Sequence, residues 1–137
     1  MISIDIAKSN DPFYRYKMPK ILIKYENGKT VITNIKEIGN SLKRNHIPIL
    51  SYFGYSLGSQ TSEKKGKCTL NGEFIVTELT EVLYNYIGEY VLCEKCSNPE
   101  TIFHIEKNNL ISICSSCGHK KKFEDTKTVK IIKKTLN

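Results

Sequence analysis

Cys93-Glu-Lys-Cys96 and Cys114-Ser-Ser-Cys117 are the two stretches that decide the fold of the second half of this chain. Seventeen residues separate the two Cys-x-x-Cys pairs, a spacing typical of a tetrahedral zinc site in which each pair forms a knuckle with two thiolates. Two disulfides are the alternative, which the paired spacing and the absence of a secretory signal disfavour. We therefore predict a structural zinc ion held by all four cysteines, with no open coordination position.

The segment between the knuckles has the pattern of a hairpin. Two β-rich runs, 101–105 and 110–114, are joined across 106–109, and Gly118 provides the positive φ that a knuckle needs as it turns back. A four-cysteine zinc ribbon over residues 90–125 follows from this pattern. So small a unit buries little apolar surface, and metal binding is expected to supply much of its folding free energy.

Length and composition set the class of the whole chain. Its 137 residues suit one domain, or a domain of about 90 residues followed by a ribbon of about 45. No segment approaches the roughly 18 to 20 apolar residues of a membrane helix. We expect a cytoplasmic monomer with reduced thiols and no membrane partner. The fifth cysteine, Cys68, has no second ligand among its sequence neighbours and is predicted to be a plain strand cysteine.

Charge is concentrated near the end of the chain. The net charge is +7, and residues 118–137 contain seven lysines against two acidic residues. Such a run forms either a solvated face or an electrostatic footprint for nucleic acid. The candidate nucleic-acid-binding residues are Lys24, Lys120, Lys121 and Lys122. Arg15 and Arg44 are the only arginines in a lysine-rich chain, which makes both of them informative.

The first 89 residues have an α+β pattern, with strand pairs too close together for parallel crossover units. Residues 1–18 read as an extended arm, 19–89 as a small mixed α/β domain, and 126–137 as a basic tail. Within the domain, Asn27-Gly28 favours a type I′ hairpin turn, and Asn34 is placed to cap a helix. The sequence predicts strands at 20–25, 29–33, 52–57 and 67–70, helices at 35–42 and 77–87, and a polar loop at 58–65.

Three further features complete these predictions. Gly88 is expected to stop the second helix, after which 89–92 leads into the ribbon without a flexible linker, so that the two modules dock rigidly. His46 is a loop histidine with no ligand partner in view. Conventional active-site patterns are absent: the sequence has no glycine-rich phosphate loop, no activated nucleophile and no paired carboxylates on an obvious scaffold.

The arm Asp11-Pro-Phe-Tyr-Arg-Tyr-Lys-Met-Pro19 is dense in aromatic and cationic residues and has no helical periodicity. Together with Tyr52-Phe-Gly54, Leu57-Gly-Ser-Gln-Thr61, Asn71-Gly72 and Val91-Leu-Cys-Glu-Lys-Cys-Ser-Asn-Pro-Glu-Thr101, it resembles the N-terminal half of eukaryotic translation initiation factor 5. The resemblance runs from residue 11 to at least 118. The β subunit of initiation factor 2 shares the two-module architecture, but the arm favours the factor 5 side.

This resemblance implies a function. The family's N-terminal half stimulates GTP hydrolysis by initiation factor 2 and acts in start-codon recognition on the small ribosomal subunit, near the initiator tRNA. Arg15 matches the arginine that the family uses in hydrolysis, where a guanidinium neutralises charge on the transferring phosphoryl group. Tyr14 and Tyr16 would fix the approach of the arm, Phe13 and Lys17 are further candidate partner-binding residues, and Lys29 matches a lysine needed for activation. The chain itself would be no enzyme; its partners would be initiation factor 2 with GTP and initiator tRNA, and small-subunit RNA.

Three departures from the family pattern leave alternatives open. The loop at 26–29 is shorter than the family's, Ser51 stands where the family has a functional lysine, and the sequence to Asn137 does not contain the C-terminal helical-repeat domain. A stand-alone form is expected to reach the initiation complex through the arm, ribbon and basic tail, or to be recruited by something else. The alternative functions are a non-catalytic RNA- or ribosome-binding module and a competitor of cellular factor 5.

Overall fold

The computed structural model of the protein describes residues 2–3 and 17–136. It is a mixed α/β structure with three antiparallel sheets, of strand order β1-β2, β3-β4-β6-β5 and β7-β8-β9. The strands are β1 (Ile2–Ser3), β2 (Lys17–Met18), β3 (Ile23–Glu26), β4 (Lys29–Ile32), β5 (Thr61–Lys64), β6 (Lys67–Asn71), β7 (Thr101–Glu106), β8 (Asn109–Cys114) and β9 (Lys120–Lys122). The helices are α1 (Ile35–Ser41), α2 (His46–Leu57), α3 (Val76–Tyr86) and α4 (Lys127–Leu136), and a π-helical turn, Ile87–Val91, extends α3. The α+β prediction is confirmed.

The predicted hairpin near the start of the domain is present as β3 and β4. Asn27 and Gly28 both have positive φ, 50° and 75°, as a type I′ turn requires. Asn34 stands at the N-cap position of α1, but its side chain does not cap the helix. Instead it accepts from the Leu22 N–H at 3.0 Å and donates to the Lys20 carbonyl at 2.7 Å. The asparagine therefore ties the chain entering β3 to the start of α1.

Residues 52–57 form the second half of α2, so the strand predicted there is wrong. The Asn45 side chain accepts from the Ile47 N–H at 2.8 Å and caps the helix. Pro48 is the third helical residue, where no intrahelical N–H is needed. The aromatic and glycine-containing run Tyr52-Phe-Gly-Tyr55 suggested a strand, but burial of Phe53 in the core overrides that local preference.

The polar loop predicted at 58–65 is also wrong in part, because Thr61–Lys64 is the edge strand β5. It pairs with β6 in the register Thr61↔Leu70 to Lys64↔Lys67. Most of its side chains are exposed, so β5 carries no hydrophobic alternation that a sequence pattern could reveal. The helix predicted at 77–87 is confirmed as α3, but Gly88 does not stop it: the π-helical turn carries the backbone on to Val91.

One hydrophobic core runs through both modules. Its buried residues come from the four-stranded sheet and α1 to α3, and also from Leu110, Phe123, Val129 and Ile132 of the ribbon and α4. Helix α4, where the sequence analysis predicts only a basic tail, packs Val129 and Ile132 inward while three of its lysines stay exposed. No helix among the described residues is long and apolar enough to span a membrane.

Candidate functional site

The four cysteines of the two knuckles lie together at the end of the ribbon sheet. Their sulfur atoms all lie within 4.8 Å of one another. The Cys93 and Cys117 sulfurs are 3.6 Å apart, and those of Cys96 and Cys114 are 3.5 Å apart. A disulfide needs about 2.05 Å, whereas a tetrahedron of sulfurs at about 2.3 Å from zinc has edges of roughly 3.8 Å. The arrangement fits a four-thiolate metal site and does not fit disulfides.

The backbone of each knuckle is built to hold a thiolate. The sulfur of Cys93 accepts from the N–H groups of Lys95 and Cys96, both at 3.4 Å. In the second knuckle the Cys114 sulfur accepts from Ser116 and Cys117, at 3.3 and 3.4 Å. Burial alone would raise the pKa of the Cys93 thiol, but these N–H donors and the neighbouring Cys117 thiol lower it to about 6. Although the Asn98 N–H lowers it, burial and the neighbouring thiols raise the pKa of Cys96 to about 12, so metal binding still releases protons from the cluster.

The knuckles also share a turn conformation. Gly118 has φ 76°, confirming the positive φ expected after the second pair. Ser97, at the equivalent position after the first pair, has φ 65° although it is not a glycine. Between the knuckles, the His119 ring and the Glu94 carboxylate are 2.7 Å apart, and this hydrogen bond lowers the pKa of Glu94. Sequence reasoning missed this link because the two residues are far apart in the chain.

The arm lies mostly outside the described residues. Phe13, Tyr14, Arg15 and Tyr16, which the sequence singles out, are not described, and the side chain of Lys17 is likewise not described. What is described is the backbone anchor of the arm: Ser3 pairs with Lys17 and Ile2 with Met18. From there the chain enters the folded body at Pro19.

Lys24 and Lys29 lie on the outer face of the four-stranded sheet, together with Lys64 and Lys67. We call these four lysines the lysine face. The register places them on one face: Val31, two residues from Lys29, is opposite both Lys24 and Thr69, and Lys67, two residues from Thr69, is opposite Lys64. Glu26 lies among them and forms ion pairs with Lys67 and, at 2.9 Å, with Lys24. These pairs lower the Glu26 pKa to about 2. The face therefore has a net positive charge.

A shallow depression of about 240 Å³ opens beside Lys29 on this face. Its walls also include Lys64, Lys67, Ser62 and Thr69, and the hydroxyls of Ser62 and Thr69 are 2.6 Å apart. Ammonium groups beside hydroxyls are donors that suit phosphate oxygens. The Glu26 carboxylate lines the same depression, which therefore combines the ammonium groups of three lysines with one acidic group.

Lys120, Lys121 and Lys122 form β9, and their side chains alternate. Lys121 points to the partly buried side, where its ammonium lies 4.8 Å from the Phe123 ring and 3.5 Å from the Glu89 carbonyl oxygen. Lys120 is exposed and lies 3.5 Å from a Glu106 carboxylate oxygen, and Lys122 is exposed. The three lysines that the sequence groups together therefore do not form one surface.

Helix α4 presents a more continuous basic surface. Lys127, Lys130 and Lys134 are exposed on the side opposite the buried Val129 and Ile132, at helical spacing. We call these three lysines the α4 basic face. Both interpretations of the lysine cluster are compatible with it, because the face is solvated and its charge is available to a polyanion.

The two residues that the sequence left without partners are brought into contact with others. Cys68 is in β6 and fully buried, as expected for a strand cysteine. His46, predicted as a loop histidine, is instead the first residue of α2, where the Asn45 cap starts the helix, and its ring lies near Glu63 and Cys68. Ser51 lies partly exposed on α2 beside Gly54 and Tyr55.

Sequence comparison places this geometry in a known family. The family described as a domain found in initiation factors 2B and 5 matches residues 6–120. The chain is 46% identical to eukaryotic translation initiation factor 5 of Caenorhabditis elegans over 114 residues, which are 79% of this chain and 26% of that protein. It is 44% identical to the factor 5 of Saccharomyces cerevisiae over 125 residues, 85% of this chain and 31% of that protein. The factor 5 of Mus musculus is 37% identical over 128 residues, 87% of this chain and 30% of that protein.

The matched parts of these relatives amount to roughly a quarter to a third of their length. The family match nevertheless covers the arm, the α+β domain and the ribbon through the second knuckle. The chain therefore belongs to the family of the domain found in initiation factors 2B and 5, and it resembles an N-terminal part of eukaryotic translation initiation factor 5.

Proposed function

We propose that this protein acts in translation initiation as a factor-5-like activator that stimulates GTP hydrolysis by initiation factor 2. The observation that carries the proposal is the family match over residues 6–120, which includes the arm with Arg15 as well as the body. The β1–β2 pairing supports it, because it anchors the chain at Lys17, two residues after Arg15.

Arg15 is the residue proposed to act on the reaction. A guanidinium supplied in trans places a planar set of N–H donors against the phosphoryl oxygens as negative charge develops on them. Lysine offers a point charge without that geometry. The chain would then have no activity of its own, because nucleotide and attacking water are both held by the partner. Phe13, Tyr14, Tyr16 and Lys17 are proposed to set the approach of the arm.

The body is proposed to dock on RNA and thereby hold the arm in place. The lysine face, with Lys24 and Lys29, and the α4 basic face each offer several ammonium groups to a phosphate backbone. Initiator tRNA and small-subunit RNA are the partners that this role in start-codon recognition requires. Lys120, Lys121 and Lys122 are proposed to add charge at the ribbon, although the Lys121 ammonium also lies 4.8 Å from the centre of the Phe123 ring.

Zinc is the metal proposed for the ribbon. Cys93, Cys96, Cys114 and Cys117 would hold it, and four thiolates fill its coordination shell. The ion would thus stabilise the fold of the ribbon. The residues of this chain that surround the site hold the knuckles in place through N–H···S bonds and the Glu94–His119 link.

The proposal is tested by separating docking from hydrolysis. Arg15→Met should still bind initiation complexes assembled from small subunits, initiator tRNA and factor 2 with GTP, but it should lose stimulation of phosphate release. Lys95→Met is the matched control, since Lys95 is exposed in the first knuckle and only its backbone N–H is used. If Arg15→Met stimulates hydrolysis as well as the control does, Arg15 does not have this role.

A non-catalytic RNA-binding module is the second candidate, favoured by Ser51 at the lysine position and by the two basic faces. Salt dependence of RNA binding tests it. Replacing Lys127, Lys130 and Lys134 with Gln should reduce the slope of log K against log salt by roughly 0.7 per lysine that contacts a phosphate in single-stranded RNA. An unchanged slope would exclude the α4 basic face as an RNA-binding surface. Binding to the initiation complex without stimulation by the wild-type protein would instead indicate a competitor of factor 5.

A further inference from the structure

A second group of metal-ligating side chains lies far from the ribbon in sequence, at one edge of the four-stranded sheet. It consists of His46 from α2, Glu63 from β5 and Cys68 from β6. One ring nitrogen, one carboxylate oxygen and the thiol sulfur of these residues all lie within 4.8 Å of one another. Neither the family match nor the proposed function assigns a role to them.

The fold itself brings the three side chains together. Glu63 and Cys68 are direct cross-strand partners, so their side chains project from the same face of the sheet. His46 is placed by the tight turn between α1 and α2, where a Cβ at Gly39 would come within 3.3 Å of the His46 backbone nitrogen. The Asn45 cap fixes the first turn of α2 at this point.

The spacing is that of ligands sharing a cation. The His46 Nε2 and Glu63 Oε2 atoms are 3.6 Å apart, longer than an N–H···O hydrogen bond of about 2.7 to 3.2 Å. Two ligands at about 2.0 to 2.1 Å from a tetrahedral zinc ion are roughly 3.3 Å apart. The His46 Nε2 atom is buried, and no hydrogen-bond partner is present for it among the described residues. A bound cation would satisfy it.

The site is accessible from one side. The side chain of Cys68 is fully buried, whereas those of His46 and Glu63 are 15% and 32% exposed. A cation could therefore enter from solvent and keep water as a fourth ligand. Burial and the Glu63 carboxylate raise the pKa of the Cys68 thiol and so oppose its deprotonation, whereas the nearby Lys36 ammonium lowers that pKa but repels a cation.

We propose that His46 Nε2, Glu63 Oε2 and Cys68 Sγ form a second metal site that binds a zinc-class divalent cation. A donor set of one imidazole nitrogen, one carboxylate oxygen and one thiolate suits zinc or cobalt better than magnesium or calcium. On binding, the Cys68 S–H proton is released to solvent and a metal–sulfur bond forms, with no change in oxidation state. The ion would connect the N-terminus of α2 to the edge of the sheet. The alternative use of the cluster is an ion pair between a protonated His46 and Glu63.

Metal stoichiometry distinguishes a second metal site from an ion pair between His46 and Glu63. The whole chain is equilibrated with a zinc buffer, freed of unbound metal by gel filtration, and analysed for zinc per chain. We expect two zinc ions in the wild type and one in His46→Gln and in Glu63→Gln. His104→Gln is the matched control, because His104 is an exposed strand histidine outside both clusters, and it should keep two.

Cobalt provides a second readout. With cobalt as the probe, thiolate-to-metal absorption should grow on filling of a second site in the wild type, and this increment should be absent in Glu63→Gln. His46→Gln and Glu63→Gln change partly exposed side chains, so circular dichroism should show the wild-type fold for both. One zinc ion in the wild type would overturn the proposal, as would two ions in all four proteins.

Discussion

At the scale of single residues, Arg44 shows how a sequence can point to an important residue without indicating its role. Its guanidinium is buried and donates to the Thr101 carbonyl at 2.8 Å, the Thr101 hydroxyl at 2.6 Å and the Tyr90 carbonyl at 3.2 Å. It also lies 4.1 Å from the centre of the Phe103 ring. The partners are 46 and 57 residues away, so local sequence gives no signal for them. Arg44 joins the α1–α2 turn to the ribbon.

Replacing Arg44 with Met should lower the free energy of unfolding by about 2 to 4 kcal/mol, because a buried charged donor is lost and its acceptors are left unpaired. Urea denaturation measures the change. Lys43→Met is the matched control on the neighbouring exposed residue and should change stability by less than about 0.5 kcal/mol. Equal effects of the two substitutions would mean that Arg44 does not join the modules.

Glu26 gives a pH prediction on the lysine face. Hydrogen bonds from Lys24 and Lys67 lower its pKa from 4.5 to about 2. Because the folded pKa is depressed, the stabilisation is present above about pH 4.5 and is lost as the pH falls towards 2. In Lys67→Met the Glu26 pKa should rise towards its ordinary value, as measured by NMR titration of its carboxyl carbon. Lys64→Met removes a neighbouring charge that forms no pair with Glu26, so it should change the Glu26 pKa less. Equal Glu26 pKa values in both variants would contradict the ion pair between Glu26 and Lys67.

At the scale of elements, the sequence predicts best where a local rule is decisive. Asn27-Gly28 indicates the first hairpin, and the spacing of Leu79, Val82 and Leu83 indicates α3. Prediction fails where tertiary contacts decide: the run 52–57 is helical because its apolar face is buried, and β5 is a strand only because β6 pairs with it. Helix α4 has a detectable signal, since Val129 and Ile132 recur at helical spacing, but the lysines around them dominate the pattern.

The ribbon was predictable for a different reason. Two Cys-x-x-Cys pairs fix the chemistry of the site and the hairpin between them, and the sulfur positions agree with that prediction. The cluster of His46, Glu63 and Cys68 could not be predicted, because each residue belongs to a different element and the pairing of β5 with β6 has no local signal.

Gly39 tests the packing of α1 against the start of α2. A Cβ at this position would lie 2.8 Å from the Arg44 carbonyl oxygen, a contact with backbone that cannot move aside cheaply. Gly39→Ala should therefore destabilise the protein by about 1 to 3 kcal/mol in urea denaturation.

Gly88 is the matched control for this substitution. It lies in the π-helical turn, where a Cβ would have no other atom within 4 Å and the φ angle is not positive. Gly88→Ala should be neutral or stabilising by up to about 1 kcal/mol. Destabilisation at Gly88 and none at Gly39 would contradict the described backbone at both positions.

At the scale of the whole molecule, the two modules are joined by a continuous aromatic row. Ring centroids of Tyr52 and Tyr86 are 5.3 Å apart, those of Tyr86 and Tyr90 5.1 Å, and those of Tyr90 and Phe123 5.4 Å. With Arg44 and α4, this row makes the body one packed unit, as the absence of a linker at 89–92 suggested. In the proposed function, this packed body with its two basic faces would hold the arm in position on an RNA-containing partner.

The central claim is that Arg15 acts through its guanidinium on GTP held by initiation factor 2, and single-turnover phosphate release measures this most directly. The rate is compared for the wild type, Arg15→Lys and Arg15→Met, with each protein in saturating excess over the initiation complexes. We predict that Arg15→Met loses most of the stimulation. An arginine supplied in trans typically increases the rate of hydrolysis by a factor of about 10³ to 10⁵. Arg15→Lys should recover only a small part of the stimulation, because the planar fork is missing. Equal rates for all three proteins, with binding retained, would contradict the account.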